Sequence, residues 1–340
     1  MIDKNIKSIL IIKLRGIGDV VLSTIVLDNL KQYFPYARID YLTDLSSKPV
    51  VDGLPQVNEV IIFPKDNLLK RLKLIYKIFR KKYDLILDFY SNPSTALITY
   101  FSRAKFRVGF PYRGRKYAYN LFGPSERGKY HAAILHLKTL ENIGIDTPYK
   151  NLHFHISNDD MKFADDFFSS NNLINKFVVG VSPSGGWKSK KCDPEKFAEF
   201  AISVKNKYQC EILILWGPGD FDDATLISKL VPNSIIAPKS NINQMGALIK
   251  KSDILIANDS GPMHISTAVG TPVLSLHGPT NPYHQGPFGD KHEFIILDNL
   301  DCIMCNLLEC PKQHECFNYI DVETVLNKIT ILLNKNNISK

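Results

Sequence analysis

Short apolar runs recur along this chain, each handing over to a longer stretch in which apolar residues return every three or four positions. Runs of the first kind suit strands buried on both faces, and the periodic stretches suit helices with one face in a core. The pattern predicts strands at residues 8–14, 38–42, 59–63, 85–89 and 107–110, and helices at 20–33, 68–82, 94–102 and 130–143. It then restarts, with strands at 177–182, 211–215, 234–237, 254–257 and 273–276 and helices at 194–207, 221–230, 242–250 and 261–269. Alternation of this kind implies parallel sheets covered by helices on both faces. Two such series in 340 residues imply two doubly wound α/β domains. The polar stretch 146–160, with Pro148, is the expected join and gives domains at 1–155 and 156–340. A last helix, 322–333, is placed where it can return to the first domain.

Ligands of open α/β sheets bind beyond the carboxyl ends of the strands, so the loops there carry the candidate chemistry. The first strand runs into Arg15-Gly16-Ile17-Gly18-Asp19 and straight on into an apolar helix. Gly16 and Gly18 permit a tight turn and a close approach to a ligand. Asp19 falls at or near the helix N-cap, where a carboxylate serves as a cap, as a group facing a substrate, or as both. The third glycine of a dinucleotide-binding fingerprint is missing, since Val21 stands in its place.

The second series opens with a strand that leads into Ser182-Pro183-Ser184-Gly185-Gly186-Trp187-Lys188-Ser189-Lys190-Lys191, ahead of a helix begun by Pro194. Small residues with backbone N–H groups to offer (Ser182, Ser184, Gly185) and three lysines suit a pyrophosphate; the bland alternative is a flexible basic loop. A third turn, Asn258-Asp259-Ser260-Gly261-Pro262-Met263-His264, again joins a strand end to a helix N-terminus that favours negative charge. Asp259 can also accept from sugar hydroxyls there, and His264, one turn into the helix, is either a ligand contact or a core residue. A fourth loop, His277-Gly278-Pro279-Thr280-Asn281-Pro282, ends the next strand on the same edge.

Charge sharpens this picture when it is divided. Residues 1–150 hold 25 Lys and Arg against 13 Asp and Glu, a net of +12, whereas residues 151–340 are net −4. All nine arginines lie at or before Arg127. Arginine grips phosphate and carboxylate with a planar two-point fork, so the first half is expected to meet an anionic partner. The run from Arg103 to Lys116, which includes Arg113 and Arg115, holds six basic residues and no acid. Stretch 68–82 puts apolar Leu68, Leu72, Ile75 and Phe79 at helical spacing among basic residues. That stripe fits either an ordinary core-facing helix or contact with an anionic membrane surface. No recognised nucleic-acid-binding module accompanies the basic half, so no nucleic-acid partner is expected.

In their order and spacing these residues resemble glycosyltransferase family 9, the ADP-heptose lipopolysaccharide heptosyltransferases, over nearly the whole chain. The anchors are the run from Ile12 to Thr24, then Phe34-Pro35 with Ile39-Asp40-Tyr41-Leu42, then Tyr83-Asp84-Leu85-Ile86-Leu87-Asp88, the loop Ser182 to Lys191, the turn Asn258 to His264 and a cysteine cluster. The resemblance implies a GT-B fold: two Rossmann-like domains facing across a cleft, acceptor on the first and nucleotide sugar on the second. It implies inversion at the anomeric carbon, with no cofactor required for catalysis. Asp19 matches the proposed general base, and Arg15, Gly16 and Gly18 stand with it on the acceptor side. Lys191 matches a lysine that holds the donor phosphate, and Asp259, Ser260 and Gly261 match the donor turn, with His264 close behind. Two positions depart from the family pattern. Asp193 replaces a common tryptophan, and Arg15-Gly16-Ile17 replaces a serine-rich start, which puts the acceptor preference in question.

Cys302, Cys305, Cys310 and Cys316 are spaced C-x2-C-x4-C-x5-C. Four thiolates can close a structural zinc or iron site; reduced thiols and disulfides are the other readings. The start of the chain carries no signal-peptide pattern and no apolar run is long enough to span a bilayer, so the expectation is a cytoplasmic enzyme, peripheral on the inner face of the inner membrane. The expected donor is a nucleotide sugar and the expected acceptor an anionic glycolipid. Two other readings fit the same motifs: a protein O-heptosyltransferase of the autotransporter type, and a catalytically silent nucleotide-sugar or glycan-binding protein.

Overall fold

In the computed structural model, which describes residues 2, 5–65 and 67–340, the chain forms two units, Met1–His155 and Ile156–Lys340. The first contains strands β1 (Ser8–Ile12), β2 (Arg38–Thr43), β3 (Glu59–Ile62), β4 (Leu85–Asp88), β5 (Phe106–Gly109) and β6 (Leu121–Phe122). They form one parallel sheet in the order β3-β2-β1-β4-β5-β6. Ile9 through Ile12 are wholly buried because β1 lies mid-sheet with helices on both faces, which is why the run reads as continuously apolar.

The second unit contains β7 (Val178–Ser182), β8 (Glu211–Ile214), β9 (Ile235–Ile236), β10 (Ile254–Asn258), β11 (Val273–Leu276) and β12 (Glu293–Ile295). Their order, β12-β11-β10-β7-β8-β9, repeats the winding of the first sheet, again all parallel. Both are Rossmann-like doubly wound sheets, and together they make the GT-B class of fold. In each, the chain reverses its direction of travel between the first and fourth strands, β1 and β4 or β7 and β10. That switch point is where such sheets bind ligands.

Strands β6 and β12, two and three residues long, are too short for the sequence pattern to announce, and other segments depart from the expectation as well. The predicted helix 20–33 starts earlier, at Ile17, and is broken into Ile17–Ser23, a 3-10 turn at Thr24–Val26, and Leu27–Tyr33. Ser23 and Thr24 donate their hydroxyls back to the carbonyls of Val20 and Val21, which tightens the turn. Thr24 also accepts from the His153 N–H, and Asn29 bonds both ways with the Tyr149 backbone, so the end of the unit is stitched onto this break.

The stretch read as a polar join contains the start of a helix, Asn158–Ser170, which Ser157 and Asp160 cap reciprocally. Only Ala164 and Phe168 of it are buried, too thin a stripe to announce a helix in sequence. The closing helix, Val322–Lys335, buries Val325, Ile329, Leu332 and Leu333 in the core of the second unit.

Helix Leu68–Lys81 forms as predicted, but its stripe does not lie in the core. Leu74 and Ile78 are buried, Ile75 is half-buried, and Leu68, Leu72 and Phe79 are exposed. Leu74 and Ile78 anchor this orientation in the core, and ion pairs accompany it: Lys77 reaches Glu59 at 2.7 Å and Lys81 reaches buried Asp40 at 2.7 Å.

Candidate functional site

In the first unit the turn after β1 is built on Gly16, whose φ of +82° is open to glycine at little cost. A Cβ there would stand 2.8 Å from Asp19 Oδ2, so the carboxylate folds back over the bare glycine backbone. Gly16 itself occupies the N-cap, and no side chain caps the helix. The expectation that Asp19 caps this helix therefore fails: Asp19 is the third residue of its first turn. Its Oδ1 instead accepts from Lys13 Nζ at 2.8 Å, with the lysine buried and the Asp19 side chain 47% exposed. One carboxylate oxygen is therefore held by the lysine while the side chain stays open to solvent.

Arg127 was not singled out from the sequence. Its guanidinium lies over Phe110, 4.5 Å from the ring centre, and bonds the Tyr112 hydroxyl. Burial lowers its pKa, and the charge of Asp19 opposes that shift. Arg115 stacks on the other partner of this group, 4.9 Å from the Tyr112 ring centre, with its Nε buried and unpartnered. Arg113 and Arg15 are exposed, and Gly18 is buried inside the helix. Arg115 and Arg127 thus gather on Tyr112, while Arg113 and Arg15 offer charge to solvent.

The second unit brings its three sequence motifs together at the β7/β10 switch point. Buried Asn258, at the end of β10, accepts from the Cys192 N–H and donates to the Pro183 carbonyl at 2.9 Å. Asp259 follows, nearly fully buried. Its Oδ2 meets Lys190 Nζ at 2.6 Å and accepts from the Thr280 hydroxyl at 2.5 Å. Burial pushes the Asp259 pKa upward, but His277, Lys190 and His264 outweigh it and hold the carboxyl below its ordinary value. The Lys190 ammonium also sits 4.1 Å above the centre of the Trp187 ring. His277 is fully buried, and burial drops its pKa to about 4, so its imidazole is neutral at pH 7.

The loops at this switch point also carry buried polar atoms with no protein partner: the hydroxyls of Ser182, Ser184 and Ser260, Trp187 Nε1 and His277 Nδ1. An unsatisfied buried polar atom costs about 1–3 kcal/mol, and five around one switch point mark a place where a polar ligand completes the bonding. Ser260 is the N-cap of helix Gly261–Val269, yet its hydroxyl does not cap it, which leaves the helix N-terminus open to an anion.

Lys191, the lysine singled out from the sequence, points elsewhere. Its ammonium is held by Asp220 at 2.5 Å and Asp223 at 2.8 Å, and those carboxylates outweigh burial and raise its pKa. Gly185 is required beside it, because a Cβ there would meet Lys191 Cγ at 2.5 Å. His264 is buried within its helix. Lys190, His277 and Thr280 were missed; the fourth loop, after β11, was the available signal for the last two.

The four cluster cysteines line one cavity of about 30 Å³, floored by Gly278 and Pro279. Burial, with the other three thiols nearby, pushes the Cys316 thiol up to about 12. Among the described residues no three His, Cys, Asp or Glu side chains stand where they could hold a metal ion. The cysteine loop does brace the donor-side loops. Met304 and Asn306 donate N–H groups to the Gly278 and Pro279 carbonyls, and Ser189 bonds the Leu307 and Leu308 carbonyls. Asp193, the departure from the family tryptophan, accepts from His314 at 2.8 Å and from Asn318 at 3.1 Å.

The sequence model of glycosyltransferase family 9 (heptosyltransferase) matches residues 71–315. The chain is 26% identical over 301 residues to the lipopolysaccharide core heptosyltransferase OpsX of Haemophilus influenzae, covering 86% of this chain and 84% of that one. Among solved structures it is similar to a glycosyl transferase family 9 protein of Veillonella parvula, at a TM-score of 0.83 and 24% identity, with 97% of each chain covered. It is also similar to the ADP-heptose lps heptosyltransferase II of E. coli, at a TM-score of 0.76 and 20% identity, covering 97% of this chain and 99% of that one.

Proposed function

Because this chain belongs to glycosyltransferase family 9, the heptosyltransferases, we propose that it moves a heptose-like sugar from an ADP-activated donor to a lipopolysaccharide core or related glycolipid, with inversion at the anomeric carbon. The observation that carries the donor half is the set of unpartnered buried polar atoms on the loops that also bring Lys190 to Asp259. The names of the relatives, lipopolysaccharide core heptosyltransferase and ADP-heptose heptosyltransferase, support the sugar and the acceptor class.

Asp19 takes the proton from the acceptor hydroxyl as that oxygen attacks the anomeric carbon. The bond from that carbon to the diphosphate breaks, and ADP departs carrying the negative charge. A single displacement of this kind inverts the centre. The departing charge is met by the open N-terminus of helix Gly261–Val269, the hydroxyls of Ser182, Ser184 and Ser260, the N–H groups near Gly185, and a lysine. Asp259 accepts from sugar hydroxyls or keeps Lys190 aimed, and His264 stands behind this turn. Lys191 takes the donor phosphate only by leaving Asp220 and Asp223, whereas Lys190 already stands among the unpartnered atoms.

Calorimetry with ADP separates the two lysines. Loss of ADP affinity by tenfold or more in Lys190→Met, with a smaller loss in Lys191→Met, is the expected order. Full ADP affinity in both variants overturns the donor site.

The acceptor is an anionic glycolipid met by the basic first unit, Arg15, Arg113 and Arg115 included. No described helix is long and apolar enough to cross a membrane, and the reading of a glycolipid acceptor adds a peripheral association with the inner face of the inner membrane. The four cysteines give a donor set of the soft kind that zinc or iron selects, and we read the cavity as a structural metal site whose loop tightens around the ion. Elemental analysis of protein purified without added metal tests this: about one zinc or iron per chain supports it, and none rejects it.

A further inference from the structure

We infer that the face formed by helix Leu68–Lys81, helix Pro93–Phe101 and the turn Lys116–Ala118 of the first unit is a docking surface for an anionic phospholipid bilayer. The glycolipid-acceptor reading supplies the reason a bilayer is nearby; the surface itself says how it is met.

The first helix exposes large apolar side chains that the core does not use. Leu68 is 71%, Leu69 70% and Tyr76 63% exposed, and Leu72 is more than half exposed. Pro93–Phe101 packs beside it and adds exposed Leu97, Tyr100 and Phe101. The turn Lys116–Ala118 packs in turn on Pro93–Phe101 and adds exposed Tyr117, whose ring centre lies 5.5 Å from that of Tyr100. Arg103 closes the seam between the two helices, its guanidinium 5.5 Å from the centre of the Phe79 ring. The exposed apolar residues thus sit on three neighbouring elements, tied by the Arg103–Phe79 and Tyr100–Tyr117 contacts, where clustered apolar exposure marks an interaction site.

Charge chooses the occupant. From Asn67 to Tyr83 there are seven Lys and Arg and no Asp or Glu, and from Phe89 to Ser125 there are six and again none. Two of these cations, Lys77 and Lys81, are held by Glu59 and Asp40. Lys73, Arg80, Arg103 and Lys116 remain exposed around the apolar patch. Aliphatic and aromatic side chains rimmed by lysine and arginine match the boundary between acyl chains and anionic headgroups. A second copy of the same face is a poor occupant, since it would set cations against cations with no acid to relieve them.

Co-sedimentation with vesicles tests the surface. The full chain is expected to pellet with vesicles of equal parts phosphatidylcholine and phosphatidylglycerol and to stay in solution with phosphatidylcholine alone. Leu69→Glu with Leu72→Glu, both at exposed positions, is expected to abolish pelleting while melting and ADP binding stay as in the parent. Arg80→Ala and Arg103→Ala are each expected to weaken vesicle binding about five-fold. Pelleting that ignores phosphatidylglycerol, or that survives the double glutamate variant, overturns the inference, as does a parent chain whose mass doubles with concentration through this face. Transfer to a detergent-dispersed glycolipid separates the two readings. Transfer without vesicle binding sinks the surface alone, and vesicle binding without transfer sinks the acceptor reading alone.

Discussion

In the proposed reaction Asp19 is the base, and its local surroundings bear on that role. Lys13 holds one carboxylate oxygen and Gly16 leaves room for the other. In the proposed reaction only the second oxygen has to accept a proton. Asp19→Asn keeps the shape and the hydrogen bond capacity but removes the basic oxygen, so turnover is expected to fall by about 10²–10⁴-fold. ADP affinity and melting temperature should hardly move, because Asp19 is half exposed and the proposed donor site lies in the second unit. Initial rates of ADP release with acceptor present measure this, and near-parental turnover would remove Asp19 from its role. On the donor side the corresponding pair is Lys190 and Asp259, buried together. Removing one partner of such a pair leaves the other charge uncompensated and typically costs about 3–5 kcal/mol, so melting must be followed beside ADP affinity in Lys190→Met.

At the scale of elements, the cysteine loop matters as a brace. It hangs from the backbone of the turn after β11 and from the lysine loop after β7, and Asp193 fastens its far end through His314 and Asn318. Gly278 permits this close fit, since a Cβ there would lie 2.4 Å from Cys316 Sγ. Should a metal fill the cavity, its binding energy is folding energy for this loop and, through it, for the donor loops. Stripping the ion with a chelator is then expected to lower the melting temperature and weaken ADP binding together. Protein that contains metal yet shows neither change would deny the loop its bracing part.

At the scale of the whole molecule, buried neutral imidazoles make the fold sensitive to acid. His277 and His292, both in the second unit, are each dropped by burial from the ordinary 6.5 to about 4. Between those values the unfolded chain binds more protons than the folded one, so stability is lost as pH falls. Each imidazole accounts for about 2 kcal/mol between pH 7 and pH 5. Guanidinium unfolding of the protein at the two pH values should show the loss, and His292→Asn should reduce it by about half. Equal stability at both values would contradict the burial of these rings. Buried His136 in the first unit is shifted in the same direction by the same cause.

The sequence by itself determined ten of the twelve described strands, the main helices between them, the two-part organisation and the candidate loops. These follow from local patterns: apolar runs for strands buried on both faces, glycine at a turn that needs positive φ, and serine or aspartate where a strand hands over to a helix. Only the tertiary structure decided which side chains meet. Lys190 and Lys191 are neighbours that point to different carboxylates, and nothing in their spacing says which one reaches Asp259. Asp19 reads as a helix cap until Gly16 takes that place and Lys13 takes the carboxylate. The stripe at 68–79 fits either the core or a membrane surface by its spacing, and only the fold buries Leu74 and Ile78 while leaving Leu68, Leu69 and Leu72 outside. Periodicity sets what a helix is; which way it faces is set by contacts with residues far apart in the chain, which local spacing does not contain.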